Sequence, residues 1–277
     1  MRILIYILLF FVVVGLVLVI WGCIEARLLN VKKDSIVLSG DKDVSLRVLY
    51  FSDLHAEFCF IPANKVIDIL KKENAQSPID AVIFGGDICN KTGGYQKGAN
   101  YLNKIALACQ ELKIPFIGTN GNHDIILSSR EIDACGFKNI SGTNYILNKD
   151  DKMIRFSGVA DSGRKNRQWM DIPSCNDEYD LHILLSHNPD QFLYLQGEIP
   201  EIMLCGHVHG GQIRTPIGIE FSLLRKDELP RKGIISGLHD KNGLMLYISK
   251  GIGCVFLPFR IGSRPEINII SISKNQK

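Results

Sequence analysis

Five short apolar runs in this chain each stop at a cluster of side chains able to hold a divalent cation. That pattern limits the fold more than any other feature of the sequence. In order the clusters read Asp53-Leu54-His55, Gly86-Asp87, Gly121-Asn122-His123-Asp124, Ser186-His187-Asn188 and Gly206-His207-Val208-His209, and they take up five of the seven histidines. Carboxylates, an amide oxygen and neutral imidazoles are the donors that hold paired divalent ions at hydrolytic centres. Each motif alone is weak: Asp-x-His is commonly a cap beside a surface histidine, and Gly-Asp is commonly a turn. Five together are hard to explain otherwise, because unpaired carboxylates and imidazoles at the ends of buried strands are costly.

The runs themselves suggest the architecture. Leu46–Phe51, Asp80–Phe84 and Ile114–Gly118 read as strands, separated by helical spacing over Ala63–Glu73 and Gly98–Leu112; such alternation marks βαβ units and a largely parallel sheet. The second half carries more strand: a hairpin of Asn144–Leu147 and Met153–Val159, then Leu181–Leu185, Ile202–Cys205, Leu244–Ser249 and Glu266–Ser273. Asn188 is placed to cap a helix with Pro189 at its first position. Residues 27–45 read as a polar linker ending in an edge strand. The expected fold is α/β, two mixed β-sheets packed as a sandwich flanked by helices, in a single domain over 46–273. Ligands would gather beyond the carboxyl ends of the strands. Strand alternation would let Asp53 and His55 reach one ion from the same face. His207 and His209 share that spacing, though a turn between them would aim each at a different ion. Gly85, Gly86 and Gly121 would let backbone approach the ions without a Cβ in the way.

Ile3 to Ile24 is apolar throughout, relieved only by Tyr6 and two glycines, with Trp21 near its far end. Its length fits the roughly 20 residues needed to cross a bilayer, exceeds the about 7–15 of a signal-peptide core, and lacks a clear small-residue cleavage site. Residues 1–30 therefore read as an uncleaved anchor that places the protein in the cell membrane as a single-pass chain. Arg2 lies before the span, Arg27, Lys32 and Lys33 after it, which favours a cytoplasmic catalytic domain. The seven cysteines beyond the span are odd in number and lack framework spacing, as expected in a reducing compartment. A net charge of +3, with no basic run interleaved with aromatics, gives no footprint for nucleic acid.

The five motifs in this order resemble the signature of the calcineurin-like metallophosphoesterases, with every part unaltered, across roughly residues 46–273. Leu204–Gln212, Ser186–Asp190 and Arg264–Ile267 are similar to the membrane- and envelope-associated YaeI/YkuE/LpxG-like subgroup. The resemblance implies that Asp53, His55 and His209 bind one ion, that Asn122, His187 and His207 bind the other, and that Asp87 bridges them. It implies two divalent metal ions, manganese, zinc or iron, and leaves His123 off the metals as acid or charge stabiliser at the scissile phosphate. Asp124 orients His123 or serves as a cap. His182 reads as a packed strand residue, and His239 as solvated in a polar turn.

Two apolar loops, Phe58–Pro62 and Val255–Phe259, should flank the metals. An irregular segment from Gln212 to Gly233 sets Phe221, Leu223 and Leu224 beside Arg214, Arg225, Lys226, Arg231 and Lys232. Apolar surface beside basic side chains suits an acyl chain next to phosphate, though core packing under a solvated loop explains it equally well. The leading expectation is hydrolysis of a phosphodiester or pyrophosphate bond, in a lipid-linked or envelope substrate such as UDP-diacylglucosamine. A soluble phosphoester substrate, or a non-catalytic metal-binding interaction module on the same fold, are the alternatives.

Overall fold

A computed structural model describes residues 2–161, 170–215, 220 and 227–275. Strand β2 (Val44–Phe51) sets the plan through its alternation. Val44, Leu46, Val48 and Tyr50 face one side and Leu49 and Phe51 the other, and all are buried. A strand buried on both faces needs cover on both. On one side lie α2 (Ala63–Gln76) and α3 (Tyr95–Leu112), whose Val66, Ile69, Leu70, Leu102, Ile105 and Cys109 pack onto Leu49, Phe51 and Phe84. On the other lies a second sheet, which presents Phe156, Ile183, Leu185 and Leu204.

The first sheet has the order β1-β12-β2-β3-β4-β5, with β1 Asn30–Ser39, β3 Ala81–Phe84, β4 Phe116–Gly118, β5 Lys138–Asn139 and β12 Glu266–Asn275. β2 to β5 are parallel, whereas β12 runs antiparallel to β2. The second sheet runs β10-β11-β9-β8-β7-β6. Its strands are β6 Asn144–Lys149, β7 Lys152–Val159, β8 Leu181–Ser186, β9 Ile202–Cys205, β10 Gly237–Lys241 and β11 Leu244–Ile248. Here β7, β8, β9 and β11 are parallel, with antiparallel strands at both edges. The fold is thus the expected two-sheet sandwich with helices outside.

Two local readings change. Residues 30–39, expected as linker, form a ten-residue strand parallel to β12; only Ile36 and Leu38 are buried, with Val31 partly buried against the helix-side core, so its first half alternates too weakly to read as strand. His239 lies in β10 rather than in a turn. The turn is Asn242-Gly243, both at positive φ, which closes a tight hairpin with the strands' own twist. Asp150-Asp151 does the same between β6 and β7.

Helix α1 (Arg2–Glu25) projects from the sandwich with only Gly22 and Glu25 buried. Among the described residues it is the one helix long and apolar enough to cross a membrane. All eight cysteines are unpaired.

Candidate metal centre

The five motif loops leave parallel strands of both sheets at the same end and lock together through backbone bonds. Asp53 N–H donates to Gly86 O (2.9 Å), His55 N–H to Asp87 O (2.9 Å), and Gly206 N–H to His187 O (3.0 Å). Strand alternation is not what aims the Asp53 and His55 side chains. β2 ends at Phe51, and Asp53 and His55 follow it in the left-handed region, at φ 53° and 38°. Asp87, His207 and His209 share that conformation, at φ 62°, 68° and 55°. For non-glycine residues it is uncommon and strained, and such residues cluster at functional sites. The glycines also serve otherwise than expected: a Cβ at Gly121 would strike Asp87 Oδ1, and one at Gly206 would strike Asp53 Oδ2. They make room for ligand-type side chains.

All seven ligand-type side chains converge and are buried. His209 Nε2 is 3.1 Å from His55 Nε2 and 3.3 Å from Asp53 Oδ1. Asp87 Oδ2 lies 3.4 Å from His55 Nε2 and 3.1 Å from His187 Nε2, between the two histidines. Asn122 Oδ1 is 2.7 Å from His207 Nδ1. Asp53, His55 and His209 hold one donor atom each within 4.8 Å of one another, as do Asp53, Asp87 and His187; these groups could hold metal. His207 and His209, two residues apart, point to different groups, as a turn between them allows.

The donor chemistry fits cations. His187 Nδ1–H donates to Gly85 O at 2.7 Å, which leaves Nε2 to face Asp87 Oδ2 at 3.1 Å and Asp53 Oδ1 at 3.8 Å. A backbone acceptor of this kind fixes the tautomer of metal-ligating histidines. His55 and His209 turn their Nε2 atoms towards each other, a contact that at most one proton can bridge, whereas a cation accepts both lone pairs. Burial raises the Asp53 carboxyl, with Asp87 adding to the rise. Burial also opposes ionisation of Asp87, but the nearby His187 charge overrides it and holds Asp87 well below the usual range. Burial works against a charged His187, yet Asp87 and Asp53 outweigh it and lift the imidazole to about 10. Burial drives His55 the other way, to about 3.

His123 is half-buried at the edge of the cluster. Its ring meets the His55 ring edge-on at 5.0 Å, and its backbone N–H donates to Asp87 Oδ1 at 2.8 Å. Three further polar residues escaped the sequence reading. Asp227 Oδ1 sits 3.4 Å from His207 Nε2, on the side of the ring away from Asn122. Ser52 Oγ donates to Asp53. Arg260 is fully buried, donates to the carbonyls of Gly253, Lys250, Gly251 and Ser263, and brings Nη2 to 3.3 Å from His209 Nδ1. None of the three sits in a motif, and an arginine in an apolar stretch carries no signal of its own. Asn188 caps as expected, accepting Asp190 N–H at 2.9 Å, but the turn it opens, Pro189–Tyr194, is 3₁₀. His182 is buried in β8 against Ser157 Oγ. Of the basic, apolar segment after Gln212, residues Phe221, Leu223, Leu224, Arg225 and Lys226 lie outside the described residues.

Comparison with known proteins agrees with this geometry. The family model described as calcineurin-like phosphoesterase matches residues 46–211, more than half of the chain. The uncharacterized metallophosphoesterase YkoQ of Bacillus subtilis is 29% identical over 237 residues, 82% of this chain and 83% of that protein. Phosphodiesterase YaeI of Escherichia coli is 24% identical over 240 residues, 84% of each chain. The UDP-2,3-diacylglucosamine pyrophosphatase LpxG of Chlamydia muridarum is 37% identical over 95 residues, 32% of this chain and 28% of that protein. A family that works with two divalent ions accounts for a buried set of carboxylate, amide and imidazole donors on five strand-end loops: this chain belongs to the calcineurin-like phosphoesterases and is a metal-dependent phosphoester hydrolase.

Proposed function

We propose that the chain is a membrane-anchored hydrolase of a phosphodiester or pyrophosphate bond in a lipid-linked envelope substrate of the UDP-diacylglucosamine type. The observation that carries the hydrolytic part is the convergence of seven ligand-type side chains with His123 at their edge. In this reading Asp53, His55 and His209 hold one ion and Asn122, His187 and His207 the other, with Asp87 shared. The position of Asp87 Oδ2 between His55 and His187 supports the sharing. Manganese, zinc and iron all accept such a mixed oxygen–nitrogen set.

When bound, the two ions polarise phosphoryl oxygens and provide a nucleophile from water at neutral pH. The protein's own residues do the rest. Asp87 and Asp53 set the charge of the cluster, and Gly85 holds His187 in one tautomer. His123, which needs none of its atoms for a metal, gives a proton to the leaving oxygen. The lipid-linked substrate is supported by the LpxG similarity over a third of the chain and by α1, whose length and composition suit a membrane span. A cytoplasmic catalytic domain is supported by Arg27, Lys32 and Lys33 after α1 against Arg2 before it, and by eight unpaired cysteines.

The test is an assay of the full-length protein in detergent, stripped with chelator and reloaded with manganese, against phosphomonoesters, phosphodiesters and a lipid pyrophosphate. Manganese-dependent turnover highest on the lipid pyrophosphate is the expected result. Turnover of soluble diesters alone would make α1 only an address, and no turnover with full metal occupancy would overturn the hydrolase reading. A reporter fused after Lys277 that is active in the cytoplasm checks the orientation.

A further inference from the structure

The end of α1 is fixed to the same segment that braces the metal cluster. Gly22 O accepts Arg260 N–H at 3.1 Å, and Glu25 Oε2 accepts Gly262 N–H at 3.0 Å. The contact is close: a Cβ on Gly22 would meet Phe259, Arg260 and Ile261 within 3.2 Å. Just beyond the helix, the Arg27 guanidinium lies 4.0 Å over the Phe60 ring. Arg260 thus holds the helix with its backbone, while its side chain reaches the His209 carbonyl through Nη1 at 3.5 Å.

The segment leading into this joint is apolar and turned outward. Phe256 is 68% exposed and Leu257 46%, and Phe256 takes φ 59°, a genuine outlier for a bulky residue. The Phe256 ring is 6.2 Å from that of His123, and Ile125 and Ile126, directly after His123-Asp124, are also exposed. Large apolar side chains therefore border the cluster on the side of the catalytic histidine.

Length fixes where this border lies. A helix rises about 1.5 Å per residue and about 20 residues cross the hydrocarbon core, so a 24-residue α1 brings Gly22–Glu25 to the level of the headgroups. Exposed Trp21 suits that level, and Arg260–Gly262, bonded to this turn, share it. Arg27 and Arg264 are exposed there, and Arg214 packs against Gly262; cations at that depth attract anionic headgroups.

We propose that Phe256 and Leu257 rest in the headgroup–acyl boundary of the bilayer that α1 crosses. The substrate is then an amphiphile whose phosphoester reaches His123 while its chains stay in the membrane. This rests on the reading of α1 as an anchor and of the cluster as hydrolytic.

The test uses the full chain in vesicles of phosphatidylethanolamine and phosphatidylglycerol with manganese. Leu257→Trp, with Trp21→Phe and Trp169→Phe, reports depth through quenching by lipids brominated near the headgroup. The expected result is strong quenching, and an introduced indole quenched only by aqueous acrylamide would overturn the proposal. Hexadecyl and ethyl 4-nitrophenyl phosphate, which share a leaving group, read the substrate class. Wild type should prefer the hexadecyl ester by 10-fold or more, on the order expected from burying several methylenes. Leu257→Asp should erase that preference and keep ethyl ester turnover; an unchanged ratio would overturn the proposal. Hydrolysis of neither ester would exclude the phosphodiester half of the proposed function instead, and quenching would still decide where the loop lies.

Discussion

The Asp124 carboxylate accepts the backbone N–H of Asp87 at 2.8 Å, so the last residue of one motif holds the ligand-type residue of another in place. The same carboxylate accepts Ile88 N–H and Gly121 N–H, each at 2.8 Å. Its partners are backbone amides rather than the His123 ring, which answers the sequence-level question of its role: Asp124 joins the loops after β3 and β4. Burial, with the Asp87 charge adding to it, lifts the Asp124 carboxyl to about 7, and Asp124→Asn turns an amide donor towards backbone donors. A buried polar group left without a partner costs about 1–3 kcal/mol, so a loss of that size in denaturant unfolding of the metal-free protein is expected, together with weaker binding of manganese.

Asp87 and Asp53 should separate in a metal count. Asp87 Oδ2 faces histidines of both groups, whereas the imidazole nearest Asp53 Oδ1 is that of His209, at 3.3 Å, with His187 at 3.8 Å. Elemental analysis after reconstitution should give two ions per wild-type chain, near none for Asp87→Ala, and about one for Asp53→Ala. Wild type without stoichiometric metal would end the two-ion reading.

His123 touches the cluster through its ring edge and its backbone. His123→Ala should keep both ions and the fold, while turnover falls roughly 10²–10⁴-fold, the usual scale for an acid–base group. The loss should shrink on nitrophenyl esters, whose leaving group needs no proton. Metal loss as severe as in His207→Ala would make His123 a ligand and refute the assignment.

His182 gives a pH effect away from the metals. Burial, with Arg155 nearby, lowers its imidazole to about 4, against 6.5 in the unfolded chain. The unfolded state therefore binds one more proton than the folded state between those values, and stability falls as pH drops from 6.5 towards 4. The full effect is at most about 3 kcal/mol. His182→Gln should flatten the dependence of Tm on pH across that window; a parallel curve would show that other groups dominate.

The sandwich was legible because every central strand is a run of apolar residues ending in a recognisable loop, as in Ile202–Cys205 before Gly206. β1 was not: Lys32, Lys33 and Asp34 interrupt its alternation, and its stability comes from pairing along β12. All seven ligand-type residues and His123, which the fold brings together, stand in motifs whose side chains carry the chemistry. Arg260, Asp227 and Asp124's true partners could not be read, because they act through carbonyls, a ring edge and amides that only the assembled fold brings near. Where the structure does bring the named residues together, as at Asp53 and His55, the stated cause differs, since left-handed turns rather than a strand's pleat aim them.

Those turns have a cost that falls on the lineage. At positions 53, 55, 87, 207 and 209 the backbone has a shape that glycine adopts freely and that other residues resist, aspartate and histidine less than most. Selection for hydrolysis is what keeps carboxylates and imidazoles there against that pull. A duplicated copy released from catalysis would gain stability by drifting to glycine at these sites, so silent descendants of this enzyme should be recognisable by glycines at the ends of β2, β3 and β9, and should melt higher than the active form.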